Sequence, residues 1–215
     1  MSEASKQTPG EDIAVIGMAG RFPGARSIAD LWKVLIDGRE TISRFTEDEL
    51  RESEFDYDSV KDDPNYVPVR GVLDDVEYFD AEFFGFKPQE AMRLDPQQRF
   101  WFECAWEALE HAGYAPDKFD GSVGVFAGGG YINSYLLNNL CTDREYIERL
   151  VRLRAFDAFQ DIISNDKDFL PTRTSYLFNL TGPSINVQTA CSTSLVAVAQ
   201  ACQSLSHYES DICLA

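Results

Sequence analysis

The chain has 215 residues, 44% of them hydrophobic and 13% aromatic, and a formal net charge of −17 from 19 basic and 36 acidic side chains. That composition supports a sizeable core and excludes a wholly disordered chain, and so acidic a balance excludes a nucleic-acid binder that works through a broad basic face. No apolar run is long enough to span a membrane, and residues 1–11 form a polar leader with Lys6, Pro9 and Gly10 where a secretory signal needs apolar residues, so a cytoplasmic setting without membrane contact is expected.

From Asp12 the apolar run to Ile16 reads as a buried strand that feeds a glycine-containing loop, Gly17 to Gly24. The loop lacks the G-x-G-x-x-G spacing that brings a pyrophosphate close to backbone, so a structural turn is preferred to a dinucleotide site. Ser27 and Asp30 form a capping box, and Leu31, Trp32, Leu35 and Ile36 make a helical apolar face closed by Gly38. Nine carboxylates between Thr46 and Pro64 against Arg51 and Lys61 read as a solvated surface segment. An EF-hand starting at Asp56 fails there, because Lys61 stands at the sharp-turn position and Val67 at the bidentate one.

Asp95, Pro96 and Gln98 give an N-cap, a proline at N1 and a glutamine at N3, followed by Phe102, Ala105, Trp106 and Leu109 on one buried face and a stop at Gly113. His111 falls in the last turn, where capping of free carbonyls is preferred to catalysis. Ser122 to Ala127 reads as a strand, and Gly128 to Gly130 as a turn or close approach with no Lys-Ser/Thr pair to make a phosphate loop. Arg144, Arg149 and Arg152 put a basic patch on an amphipathic segment, read as a solvated face or a docking surface. A short helix follows Pro171, and Gly182-Pro183 makes a turn. No repeat, low-complexity tract or interdomain linker interrupts residues 12–215.

Chemistry concentrates at one place. Ser184 to Thr189 alternates like a strand, and after Cys191 the period turns helical, with Leu195, Val198, Ala199, Cys202 and Leu205 on one face. Cys191 therefore sits at a strand-to-helix switch, exposed on a tight turn at a helix N-terminus whose partial positive charge favours a thiolate, the logic of a nucleophile elbow. The local pattern supports a buried packing cysteine equally well. His207 lies sixteen residues along the same helix, about 24 Å away at 1.5 Å per residue, too far to serve as a base. The five cysteines form no C-x-x-C pair and the chain has two histidines, so neither a disulfide framework nor a metal site is expected. Asp211 to Ala215 starts an apolar strand with no turn or cap after it, which reads as an α/β domain truncated within a central strand.

Six ordered stretches carry a resemblance: Asp12 to Gly24, Phe79 to Gly85, Leu94-Asp-Pro-Gln-Gln-Arg99, Ala105 to Glu110, Leu180-Thr-Gly-Pro-Ser184 and Thr189-Ala-Cys-Ser-Thr-Ser-Leu195. Together they resemble the N-terminal half of the ketosynthase (β-ketoacyl synthase) domain of modular type I polyketide synthases. The resemblance implies a thiolase-like layered α/β fold, with Cys191 as the nucleophile that takes an acyl chain from the phosphopantetheine arm of an acyl carrier protein. The Cys191 backbone N–H would be one oxyanion donor, and decarboxylative Claisen condensation with a malonyl-type extender would follow. It further implies no directly bound cofactor, a homodimer, neighbouring polyketide synthase domains, and two assisting histidines from motifs beyond Ala215. A fragment limited to dimerisation or carrier binding is the alternative. Gln188 and Thr193 stand where many members have Asp and Ser, which bears on substrate preference more than on the reaction.

Overall fold

The computed structural model describes residues 12–52, 56–130, 135, 144, 148 and 156–215. The chain leaves one unit at Met18 and returns to it at Glu77, so Ala19–Val76 forms a unit of its own although no linker composition marks either crossing.

In the Ala19–Val76 unit, Ser27 Oγ accepts the Asp30 N–H at 3.1 Å and its hydroxyl donates to the Asp30 carboxylate at 2.8 Å. This reciprocal cap starts α1 (Ile28–Ile36). The apolar face expected for this helix is not buried: Val34 packs inward, whereas Trp32, Leu35 and Ile36 are each more than 60% exposed. Periodicity locates an apolar stripe, but burial depends on which neighbour reaches it. Two short strands, β1 (Ser43–Arg44) and β2 (Val69–Arg70), pair antiparallel. Between them the acidic segment is solvated as expected, with α2 (Glu47–Glu52) inside it. Arg51 donates to Glu47 at 2.8 Å and to Asp58 at 3.1 Å, and Lys61 reaches Asp58 at 3.0 Å. Exposed pairs of this kind contribute little individually.

The other unit runs through α3 (Pro88–Arg93), α4 (Pro96–Ala112), β3 (Val123–Ala127), α5 (Phe156–Asn165), α6 (Leu170–Phe178), β4 (Ser184–Asn186), α7 (Thr193–Ser206) and β5 (Ile212–Leu214). The three strands form a parallel sheet in the order β4-β3-β5, with Val125 opposite Ser184 on one side and Leu214 on the other. All five residues of β3 are buried, as an uninterrupted Val-Gly-Val-Phe-Ala run requires of a central parallel strand. One core cluster joins Phe84, Phe86, Leu94, Phe102, Leu109 and Phe178 to β3 through Val125, with Phe79 stacked on Phe84 at 5.2 Å. A second cluster lays Ala197 and Ala201 of α7 against Phe126 and Val187. The inward side of α7 is thus its small residues; Leu195 and Val198, expected on a packing face, are exposed.

The Leu94-to-Arg99 stretch carries four structural tasks: core, cap, first turn and anchoring bonds. Leu94 is fully buried, and the Asp95 carboxylate caps α4 by accepting the Gln97 N–H at 2.8 Å, while its own N–H donates to Ser164 O at 3.0 Å. Pro96 occupies the first helical turn, where no N–H is needed. Gln98 donates to Asp166 O at 3.3 Å, and the buried Arg99 guanidinium donates to Leu94 O at 2.9 Å. Gly113, at φ +78°, closes the helix in the left-handed conformation.

Asp12 to Ile16 departs from expectation. The segment is exposed, Val15 to 78%, and belongs to no strand ladder among the described residues. It is held at its end instead. A Cβ on Gly17 would lie 2.3 Å from Ala108 O and 3.0 Å from Ala112 Cβ, so glycine is there to let the chain lie against α4, in agreement with a structural rather than a nucleotide-binding turn.

Burial holds the Asp95 carboxyl above its usual value of 3.8, against the lowering effects of its bonds to Gln97 and the charge of Arg99. The folded state therefore binds this proton more readily than the unfolded chain does. Its contribution is most favourable below the usual value and is lost as pH rises through the raised one. Asp95→Asn keeps a competent cap but cannot titrate. In urea denaturation across the acid range, the wild type should lose stability relative to Asp95→Asn as pH rises through that window.

Candidate active site

The carboxyl ends of β3 and β4 converge on one turn. The ladder continues past β4 as Val187 N–H donates to Ala127 O at 2.9 Å, and the chain then passes through Gln188 and Thr189 into a single 3-10 turn, Ala190–Ser192, that runs directly into α7. Cys191 is the middle residue of that turn, exposed and with a free thiol. Of the two readings the local pattern left open, the buried packing cysteine does not hold for this residue. It fits Cys213 better, which is partly buried against Ala201 O at 3.7 Å and whose thiol burial pushes up. Cys104 and Cys202 are partly buried and in no disulfide, and Cys141 lies outside the described residues.

The turn is strained and tied to itself. Ala190 adopts φ +54°, a left-handed conformation that costs a non-glycine residue about 1–2 kcal/mol. Hydroxyl bonds hold it. Thr193 Oγ accepts the Thr189 N–H at 3.0 Å and donates to Ala190 O at 2.8 Å, and Ser192 Oγ donates to Thr189 O at 2.9 Å.

The triple glycine stands beside this turn. A Cβ on Gly128 would lie 2.0 Å from Val187 O and 2.5 Å from Thr193 Cγ2, so only glycine lets the chain leaving β3 pass the turn. Gln188 Nε2 donates to Gly129 O at 3.2 Å, and Gln97 Oε1 accepts the Gly130 N–H at 2.8 Å. The first turn of α4 is in this way linked to the cysteine turn through the glycine loop. The sequence pattern places Gln97 only inside a helix cap; its second role is a contact 33 residues away, which no local signal encodes.

His111 stands in the last turn of α4, as expected. Its Nδ1 lies 3.0 Å from Met18 N and 3.1 Å from Met18 O, accepting from the one or donating to the other according to its tautomer, and so anchors the chain beyond Gly17. His207 follows the last residue of α7, at the opposite end of the helix from Cys191, in agreement with its exclusion as a base. Among the described residues no group of three His, Cys, Asp or Glu side chains is placed to hold a metal ion. No helix among them is long and apolar enough to cross a membrane. Of the basic patch, Arg144 is described, 92% exposed at its side chain and 3.2 Å from Glu148; Arg149 and Arg152 lie outside the described residues.

A parallel sheet whose strand ends lead to an exposed cysteine on a strained strand-to-helix turn defines an α/β protein. The family is given by comparison. Residues 10–215 match the family model described as "Beta-ketoacyl synthase, N-terminal domain". The chain is 50% identical over 207 residues to a phenolphthiocerol/phthiocerol polyketide synthase polypeptide of Mycobacterium tuberculosis, covering 96% of this chain and 14% of that protein. It is 39% identical to the pikromycin polyketide synthase component PikAII of Streptomyces venezuelae, covering 95% of this chain and 5% of that protein. Among solved structures, ketosynthase twelve of the bacillaene polyketide synthase of Bacillus amyloliquefaciens superposes with a TM-score of 0.75 at 29% identity, over 92% of this chain and 33% of that one. An oxazolomycin ketosynthase domain of Streptomyces albus gives 0.73 at 30% identity, over 93% and 33%. The chain belongs to the β-ketoacyl synthase family, carries its N-terminal domain and has its thiolase-like fold.

Gly128→Ala should cost about 1–3 kcal/mol, the range for overpacking a close contact, because both obstacles to the new methyl are fixed by the turn. Chemical denaturation checks this, with Gly129→Ala as control: a Cβ there meets nothing closer than 3.8 Å.

Proposed function

We propose that Cys191 is the acyl acceptor of a polyketide synthase ketosynthase. Its thiolate attacks the thioester carbonyl of an acyl chain on the phosphopantetheine arm of an acyl carrier protein. A carbon–sulfur bond forms, the tetrahedral oxyanion is met by the Cys191 N–H, and the carrier thiol leaves, taking up the proton the cysteine gave up. In the complete domain a malonyl-type extender then loses carbon dioxide, and the electron pair of the broken bond makes an enolate that attacks the acyl-cysteine and expels the thiolate. The observation that carries this reading is the exposure of Cys191 on a turn held by hydroxyl bonds at the carboxyl ends of two parallel strands, where α/β proteins bind their ligands.

A more limited reading has its own observation. Among the described residues no imidazole is bonded to the Cys191 turn, since His111 is engaged with Met18. The half-reaction this chain's residues support is acyl loading; condensation belongs to the whole domain, since the chain spans a third of the solved relatives it matches. Homodimerisation and contact with neighbouring synthase domains are proposed with the same reading.

Two experiments test it. Incubated with a short acyl thioester of N-acetylcysteamine, the full-length polypeptide carrying this chain should gain one acyl group on the peptide containing Cys191, by mass spectrometry, and Cys191→Ala should gain none there. For the carrier, Arg144→Glu, Arg149→Glu and Arg152→Glu together should weaken binding of an acidic acyl carrier protein, with a difference that shrinks as salt is added. Equal affinities at low salt would remove this patch from the docking surface.

A further inference from the structure

Thr193 makes two hydrogen bonds through its hydroxyl that both act on the peptides leading into Cys191. The hydroxyl donates to Ala190 O at 2.8 Å, and the Thr193 backbone N–H donates to the same oxygen. The hydroxyl oxygen accepts the Thr189 N–H at 3.0 Å, so its donor and acceptor capacity are both committed on the two sides of the left-handed Ala190. The rotamer is set from the other side, because the Thr193 methyl lies against Gly128 in the space that a Cβ there would need.

The Ala190–Cys191 peptide is planar and trans, so its C=O and N–H point in opposite directions. A carbonyl pinned toward Thr193 therefore turns the Cys191 N–H away from Thr193. As the middle residue of a 3-10 turn, Cys191 has an N–H with no intrahelical acceptor. An aimed, unspent donor on the residue that carries the thiol is what a developing oxyanion needs.

We propose that Thr193 is a positioning residue that acts through Ala190 O to aim the Cys191 N–H at the oxyanion of the acyl-transfer step. This rests on the reading of Cys191 as the acyl acceptor. Thr193 touches no reacting atom. Its hydroxyl holds the donor in place before the substrate arrives, and its methyl seats the turn against the glycine loop.

The test compares two reactions of the same thiol in the full-length polypeptide. Acylation by a short N-acetylcysteamine thioester passes through an oxyanion; alkylation by iodoacetamide, in which sulfur displaces iodide, does not. Thr193→Val keeps the shape and removes the hydroxyl, and it should slow acylation of Cys191 roughly 10- to 100-fold while alkylation changes by less than about threefold. Thr193→Ser should restore acylation, and Thr193→Ala, which adds no bulk, should repeat the selective loss. Acylation unchanged in Thr193→Val and Thr193→Ala, or acylation and alkylation falling together in both, would overturn the proposal while leaving the acyl-acceptor reading intact. Failure of the wild type to be acylated would overturn both.

Discussion

Strand β3 is bonded on both sides, to β4 and to β5, and is buried along its whole length. The site hangs from its carboxyl end. The glycine loop is its direct continuation, the chain leading to Cys191 is bonded to its last residue through Val187, and α7 rests on Phe126 through Ala197 and Ala201. A central parallel strand cannot shift its register without moving every side chain to the other face, so it is a rigid origin for a turn that must hold strain. The left-handed Ala190 is tolerated because the surrounding bonds determine its conformation more strongly than its own preference does.

The cysteine turn is built from short side chains. Thr189, Ser192 and Thr193 satisfy one another's hydroxyls and nearby backbone groups, and Gly128 leaves room for them. Hydroxyl side chains compete with helical bonding for the backbone, which is why they suit the junction where a strand stops and a helix has not yet begun. Behind it, Gln97 and Gln188 fasten the glycine loop with one bond each. The Leu94-to-Arg99 motif thus joins three tasks, a core residue, a helix cap and a contact to the loop beside the thiol.

Local signals are legible in the sequence. Asp95, Pro96 and Gly113 bound α4 because caps and left-handed stops act within a few residues, and the change from alternating to helical period places Cys191 at its turn for the same reason. Burial is less legible. The apolar run Asp12 to Ile16 looks like a buried strand, and Trp32, Leu35, Leu195 and Val198 look like packing faces, yet all are exposed in this structure. An apolar period states which residues share a face. It does not state whether another surface covers that face.

The sequence alone determined the α/β class, the bounds of α4, the cysteine at its strand-to-helix turn and, through its ordered motifs, the family. Each depends on interactions between residues close in the chain or on their order along it. Only the tertiary structure decided which glycines are required by close approach, that Gln97 reaches Gly130, that His111 holds Met18, and that the small side of α7 faces the sheet. These are contacts between residues tens of positions apart, and the energy of a contact depends on a distance in space that order in the chain does not contain.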